Sequence, residues 1–181
     1  MGVTHKIFCA GFGGQGVMSM GQLFTYAGLL QGKEVTWCPS YGPEMRGGEA
    51  NCSVNVSDDI VGSPLIKGDA TVAVFMNVAA FKKFEGQVKP GGSMYINSSL
   101  IHEKTSRTDV NAYYVPVTDI AAEMGNPKLA NMVMLGAVNS KEKIVDDEKL
   151  LEAFTKVFGE KKAKFIPINK EALERGAQSV K

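Results

Sequence analysis

The first feature of the sequence that could carry chemistry is a glycine cluster, Gly11-Phe12-Gly13-Gly14-Gln15-Gly16. It fits the spacing GxGxxG and lies between an apolar run over 6–10 and helical spacing over 17–30. Glycine lets a backbone approach a ligand closely, and a helix N-terminus adds roughly half a positive charge. The turn is therefore predicted to hold a phosphate or a carboxylate. The alternative is that the glycines only allow the strand and helix to pack closely.

Two common nucleotide sites are disfavoured at this turn. A dinucleotide site requires an acidic residue about 20 residues further on, at the end of the second strand. That strand ends in Trp37-Cys38-Pro39-Ser40, which holds no acid. A P-loop requires a Lys and a Ser or Thr where Val17 and Met18 stand.

A second dense feature is the loop over 40–48, which combines functional side chains with turn-forming residues. Its candidate binding residues are Ser40, Tyr41, Gly42, Glu44, Arg46 and Gly47. The Arg46 guanidinium is a rigid fork of donors that suits phosphate or carboxylate, and Glu44 could orient it or contact a partner chain. If the second strand neighbours the first, the loop and the glycine turn emerge at the same sheet edge. The alternative is a structural turn with a surface ion pair.

These features must be positioned by an α/β fold, because strand and helix patterns interleave along the chain. Strands are predicted over 6–10, 34–38 (broken by Pro39), 50–56 (half-buried), 69–76, 93–97, 112–117 and 163–166, and helices over 17–30, 78–84, 129–138, 146–158 and 170–181. The pattern predicts a single Rossmann-like domain over 1–181, with a mostly parallel sheet covered by helices. Ligands of such sheets gather at the carboxyl ends of the strands.

Composition excludes several classes of protein. Twenty Lys and Arg against 19 Asp and Glu give a net charge of +1, with no basic stripe for nucleic acid. The sequence shows no membrane span or signal peptide, so a cytoplasmic protein is expected. Cys9, Cys38 and Cys52 fit neither a disulfide framework nor cluster spacing, so free, mostly buried thiols are expected and no metal site is predicted.

Together the two motifs resemble the gamma subunit of 2-oxoacid:ferredoxin oxidoreductases. The stretch Ser40-Tyr41-Gly42-Pro43-Glu44-Met45-Arg46-Gly47-Gly48 is the more specific of the two, and Ala50, Cys52, Val54 and Asp58-Asp59 extend the likeness. The resemblance covers most of the chain, particularly to the 2-oxoglutarate and branched-chain (2-ketoisovalerate) members.

The resemblance implies a multi-subunit enzyme that decarboxylates a 2-oxoacid, forms an acyl-coenzyme A and reduces ferredoxin. Thiamine diphosphate, magnesium and iron-sulfur clusters would belong to partner alpha and beta subunits, with a delta subunit and a homodimer as further options. This chain would hold no cofactor alone and would be inactive alone. Gly13, Gly14, Gln15 and Arg46 would face coenzyme A or the neighbouring catalytic subunit.

Two other hypotheses remain open from the sequence. A free-standing nucleotide- or flavin-binding α/β protein would use the glycine turn, although the ribose acid is missing. A pure scaffold would join catalytic subunits without contacting coenzyme A. No catalytic residue is assigned to this chain under any of the three.

Overall fold

A computed structural model describes residues 2–44 and 46–180. The strands are β1 (Thr4–Phe12), β2 (Glu34–Tyr41), β3 (Glu49–Ser57), β4 (Ala70–Phe75), β5 (Val88–Asn97) and β6 (Asn111–Val115). The helices are α1 (Val17–Leu30), α2 (Val78–Phe84), α3 (Val117–Glu123), α4 (Ala130–Glu142), α5 (Asp147–Phe158) and α6 (Ile166–Gln178), with short 3-10 helices at Glu85–Gln87, Pro127–Leu129 and Glu160–Phe165.

The six described strands form one mixed sheet in the order β2-β3-β1-β4-β5-β6. The β1-β4, β4-β5 and β5-β6 pairs are parallel, whereas β3 runs antiparallel to both β1 and β2. The predicted mostly parallel α/β domain is confirmed, with an antiparallel β2-β3 hairpin added at one side.

The two faces of the sheet are covered differently. Alternate residues such as Ile7, Cys9 and Val74 pack on α1 and on the helices from α3 to α6. The opposite face, including Phe8 and Phe75, is covered by α2 and by loop residues around Ile66 and Ile101. Most of the predicted helical cover therefore lies on one face.

Three sequence expectations are wrong in detail. Pro39 does not interrupt β2, because β2 is an edge strand and the missing N–H of proline removes no essential ladder bond there. β3 is buried on both faces rather than half-buried, since the loop after it covers its polar side: the Asn55 side-chain amide donates to the Pro64 carbonyl oxygen over 3.3 Å.

The third error is the strand expected over 163–166. Gly159, with φ of 84°, ends α5, and Glu160–Phe165 then forms a 3-10 turn that leads directly into α6. Pro167 lies in the first turn of α6, where its fixed φ favours the helix and its missing N–H costs nothing. Pro167 is therefore a helix start signal, which argues against a strand over 163–166.

Candidate functional site

The glycine turn and the β2-β3 hairpin meet at the carboxyl end of β1. Register places Gly11 opposite Ala50, which in turn faces Tyr41. The Gly13 amide donates to the Gly48 carbonyl oxygen over 2.9 Å. β3, rather than β2, neighbours β1, but the hairpin still returns its loop to the glycine turn because β3 is antiparallel to both strands. The two motifs therefore lie side by side.

Two glycines of the turn have backbone conformations that L side chains rarely adopt. Gly14 has φ of 100° and Gly16, the N-cap of α1, has φ of 76°. In the part of the chain that the structure describes, no side-chain hydrogen bond caps α1, and its first turn carries no acidic residue. The first-turn amides of a helix have no partner within the helix, so here they are available to an anion.

These amides open into a cleft of about 480 Å³. Its described lining consists of Phe12, Gly13, Gly14, Gly16, Val17, Met18, Ser19, Tyr41, Arg46 and Ala50. That lining includes the Arg46 cation and no carboxylate. Phe12 and Tyr41 add exposed aromatic surface. The cleft is thus suited to a ligand that has both an anionic group and an apolar part.

The remaining predicted site residues lie around this cleft or beneath it. Gly11 is buried, and a Cβ there would come within 2.8 Å of the Val17 side chain, so this glycine serves strand-to-helix packing. The Gln15 side chain turns inward: its Oε1 accepts from the Phe12 amide over 2.8 Å and from the Asn77 side chain over 2.9 Å. Gln15 therefore fastens the turn to the end of β4.

The hairpin residues Ser40, Gly42, Glu44 and Gly47 are outside the described cleft lining. Ser40, Glu44 and Gly47 are exposed, and the Gly42 amide donates to the Glu49 carbonyl oxygen over 2.8 Å. Among the described residues, no ion pair joins Glu44 to Arg46. Arg46 is thus presented to the cleft without a neutralising partner from the described hairpin.

The sequence interpretation missed Met18, Ser19 and Asn131. Ser19 lies in the first turn of α1, directly after the glycines. The predicted anion site at the N-terminus of this helix could therefore have identified it. Asn131 belongs to α4 and contacts the turn from another part of the chain: a Cβ at Gly16 would lie 2.5 Å from its Nδ2. Its signal was a polar amide directly before the apolar run over 132–138.

Beneath the cleft, the cysteines are free, as expected from the sequence. Cys9 and Cys52 are buried and face each other across β1 and β3, while Cys38 is partly buried. A hydrogen bond with Cys52, together with burial, raises the pKa of the Cys9 thiol well above its ordinary value. Since the thiolate is the reactive form, Cys9 is an inert core residue.

The described residues offer neither a metal site nor a membrane-spanning helix. Residues 2–44 and 46–180 contain no group of three or more His, Cys, Asp or Glu side chains able to hold a metal ion. Within the same residues, none of the helices combines the length and the apolar character needed to cross a bilayer.

Known structures with this architecture include subunits of 2-oxoacid oxidoreductases. The gamma subunit of a keto/oxoacid ferredoxin oxidoreductase from Geobacter sulfurreducens superposes with a TM-score of 0.81 at 25% identity, covering 97% of this chain and 98% of that one. The 2-oxoglutarate:ferredoxin oxidoreductase of Magnetococcus marinus, with 2-oxoglutarate, coenzyme A and succinyl-CoA bound, gives a TM-score of 0.86 at 27% identity, covering 98% of this chain and 31% of that one.

Relatives identified by sequence are also named as subunits of 2-oxoacid-oxidising enzymes. The ketoisovalerate oxidoreductase subunit VorA of Methanothermobacter marburgensis is 35% identical over 95% of this chain, which spans only 36% of that protein's length. The 2-oxoglutarate synthase subunit KorC of Methanocaldococcus jannaschii is 36% identical over 83% of this chain and 82% of its own length. The family model for pyruvate ferredoxin/flavodoxin oxidoreductase matches residues 6–179. The resemblance found in the sequence motifs is thus confirmed, and the chain belongs to the pyruvate ferredoxin/flavodoxin oxidoreductase family.

Proposed function

We propose that this chain is the gamma subunit of a multi-subunit 2-oxoacid:ferredoxin oxidoreductase and that its cleft contributes to the coenzyme A region. The observation that carries the proposal is the open α1 N-terminus beside Arg46, in a cleft whose described lining has no carboxylate. The likeness to gamma and KorC subunits, and to a structure with coenzyme A bound, supports the same assignment.

The cleft suits one part of coenzyme A, its phosphates. Backbone amides at a helix N-terminus donate to phosphate oxygens, and the helix dipole favours their charge. Arg46, which also lines the cleft, would supply a bidentate contact. Phe12 and Tyr41 are both exposed, and they offer apolar surface for the uncharged pantetheine arm of coenzyme A or for a partner subunit. Gly13, Gly14 and Gly16 let the ligand approach the backbone.

Under this proposal the chemical steps take place on other subunits. Thiamine diphosphate with magnesium and the iron-sulfur clusters would be held by alpha and beta partners, and a delta subunit or a second copy of this chain could complete the assembly. The chain would be a single gamma-subunit domain over 1–181, inactive alone, within a cytoplasmic complex. The buried free thiols Cys9 and Cys52 suit a reducing compartment.

The substrate that we favour is 2-oxoglutarate. Several relatives are 2-oxoglutarate synthase subunits, at 31–36% identity to this chain. The ketoisovalerate relatives match at similar identity, so a branched-chain 2-oxoacid is the alternative. A complex purified through this chain and assayed with both acids would decide between them: faster ferredoxin reduction with 2-oxoglutarate supports our choice, and faster reduction with 2-ketoisovalerate contradicts it.

The test of the cleft is Arg46→Ala in the assembled complex, with ferredoxin reduction followed by absorbance. Losing a charge-assisted hydrogen bond should raise the KM for coenzyme A about tenfold. The matched control is Arg175→Ala, which removes an equally charged side chain from α6, where Arg175 lines a different cavity. If Arg46→Ala leaves both the KM for coenzyme A and the turnover unchanged, the cleft has no role in coenzyme A binding and the chain is a scaffold. If the complex purified through this chain contains no thiamine-binding or iron-sulfur partners, the proposal as a whole is contradicted.

A further inference from the structure

A second concave site lies next to the first, between α1, α4, α5 and α6. It has a volume of about 500 Å³, and its lining includes Phe154, Phe158 and Phe165 together with Leu129 and Met132. We name it the aromatic pocket. The Phe154 and Phe158 rings are packed with centroids 4.6 Å apart, and Phe165 is 46% exposed at the rim. No sequence motif indicated this pocket, because its residues come from four separate stretches of chain.

The aromatic pocket adjoins the cleft at the glycine turn. Ser19, in the first turn of α1, lines both. A smaller cavity of about 190 Å³ borders both sites: it shares Gly14 with the cleft and shares Lys128 and Asn131 with the aromatic pocket. The open N-terminus of α1 therefore lies between the two compartments.

Asn131 provides an independent sign that a ligand belongs here. The residue is only 8% exposed, and its Oδ1 accepts the Met132 amide over 2.9 Å. Its Nδ2 lies against Gly16 and has no acceptor among residues 2–44 and 46–180. Since the residue is almost fully buried but this donor has no partner among the described residues, it is free to donate to a ligand oxygen at the α1 N-terminus.

The chemistry of the pocket indicates the class of ligand. Aromatic side chains bind planar rings by stacking, and the Lys162 ammonium lies 5.6 Å from the Phe158 ring centroid. Lys128 and Lys162 line the pocket, and its described lining includes no carboxylate. Asn169, 6% exposed, donates through Nδ2 to the Phe165 carbonyl oxygen, and its Oδ1 accepts no hydrogen bond from the described residues, so it could accept one from a ligand N–H. A ring system with hydrogen-bonding edges, attached to phosphate, matches all of these groups.

A small molecule fits this site better than a protein surface does. The buried amides of Asn131 and Asn169 lie within a concavity, where a planar base reaches them more easily than a folded partner. Drug-sized ligands and cofactors occupy cavities of roughly 300–1,000 Å³, a range that includes this one.

We infer that the aromatic pocket binds the base of a nucleotide whose phosphate accepts hydrogen bonds from the α1 N-terminus and from Asn131 Nδ2. The assignment of this nucleotide to coenzyme A rests on the proposed function; a free adenine nucleotide is the other source of the same chemistry.

The binding test uses the full chain and adenosine 3′,5′-bisphosphate, measured by calorimetry. Asn131→Asp keeps the acceptor for the Met132 amide but replaces the Nδ2 donor with a charged oxygen, so the fold should persist while affinity falls about tenfold or more. The control is Asn111→Asp, the same chemical change on β6. No binding at millimolar nucleotide, or an affinity that Asn131→Asp leaves unchanged, overturns the inference.

The assembled complex then identifies the source of the nucleotide. Phe165→Leu should raise the KM for coenzyme A about tenfold through lost stacking and leave the KM for pantetheine, which lacks the nucleotide, unchanged. Equal rises for both thiols overturn the assignment of the aromatic pocket to a base. If the full chain binds the bisphosphate and Phe165→Leu changes neither KM, the nucleotide site stands, its source is a free nucleotide, and the coenzyme A assignment is wrong. Because the calorimetry needs no complex, failure of the proposed function leaves it interpretable.

Discussion

Glycines perform opposite tasks in two regions of this molecule. In the turn before α1, Gly14 is exposed, and a Cβ added there would meet nothing within 4 Å. Between α4 and α6, a Cβ at Gly136 would lie 2.1 Å from the Leu173 carbonyl oxygen, and one at Gly176 would lie 1.8 Å from the Val133 carbonyl oxygen. The turn needs glycine for its backbone conformation, whereas the helix pair needs it for space. The turn before α1 is open to solvent, whereas α4 and α6 are in direct backbone contact.

The largest effect is expected from Gly176→Ala. The added methyl group cannot be accommodated by side-chain rotation, since the obstacle is backbone of α4, so the two helices must separate. The cost should be about 3 kcal/mol or more in the free energy of unfolding, measured by urea denaturation. A loss below about 1 kcal/mol would mean that α4 and α6 are not in backbone contact in solution.

A smaller effect is expected from Gly14→Ala. Space is available, but φ of 100° is strained for any L side chain, so the free energy of unfolding should fall by about 2 kcal/mol. Thermal or urea denaturation measures the loss. If Gly14→Ala destabilises as much as Gly176→Ala, the distinction between conformation and space fails.

The smallest effect is expected from Gly86→Ala, which completes the comparison. Gly86 is in the 3-10 helix after α2, has open space at its Cβ and is not among the glycines of positive φ. Gly86 is therefore needed neither for its backbone conformation nor for space. Alanine should leave the free energy of unfolding unchanged or raise it by up to about 1 kcal/mol, because it restricts the conformations of the unfolded chain. A destabilised Gly86→Ala in the same denaturation series would show that open space and ordinary φ are insufficient criteria.

The local parts of the site could be predicted because they are encoded in short stretches. The order of strand, glycine turn and α1 over Val17–Leu30 appears as expected, since apolar spacing and glycine placement specify it without reference to the rest of the chain. The boundary is wrong by two residues, because β1 continues through Gly11 and Phe12, which pair with β3. Errors arose where tertiary position overrides local preference. Pro39 remains in a strand because β2 is at the edge of the sheet, and β3 is buried because the loop that follows it folds back over its polar side.

The sequence alone determined that a glycine-rich turn precedes a helix, that Arg46 stands in a second motif, and that these motifs resemble one enzyme family. Only the tertiary structure decided which residues meet there. The antiparallel β3 returns Arg46 to the glycine turn, and α4 brings Asn131 against Gly16 from more than a hundred residues away. The physical reason is that backbone conformation and periodicity depend on near neighbours, while the lining of a cleft depends on how strands and helices pack.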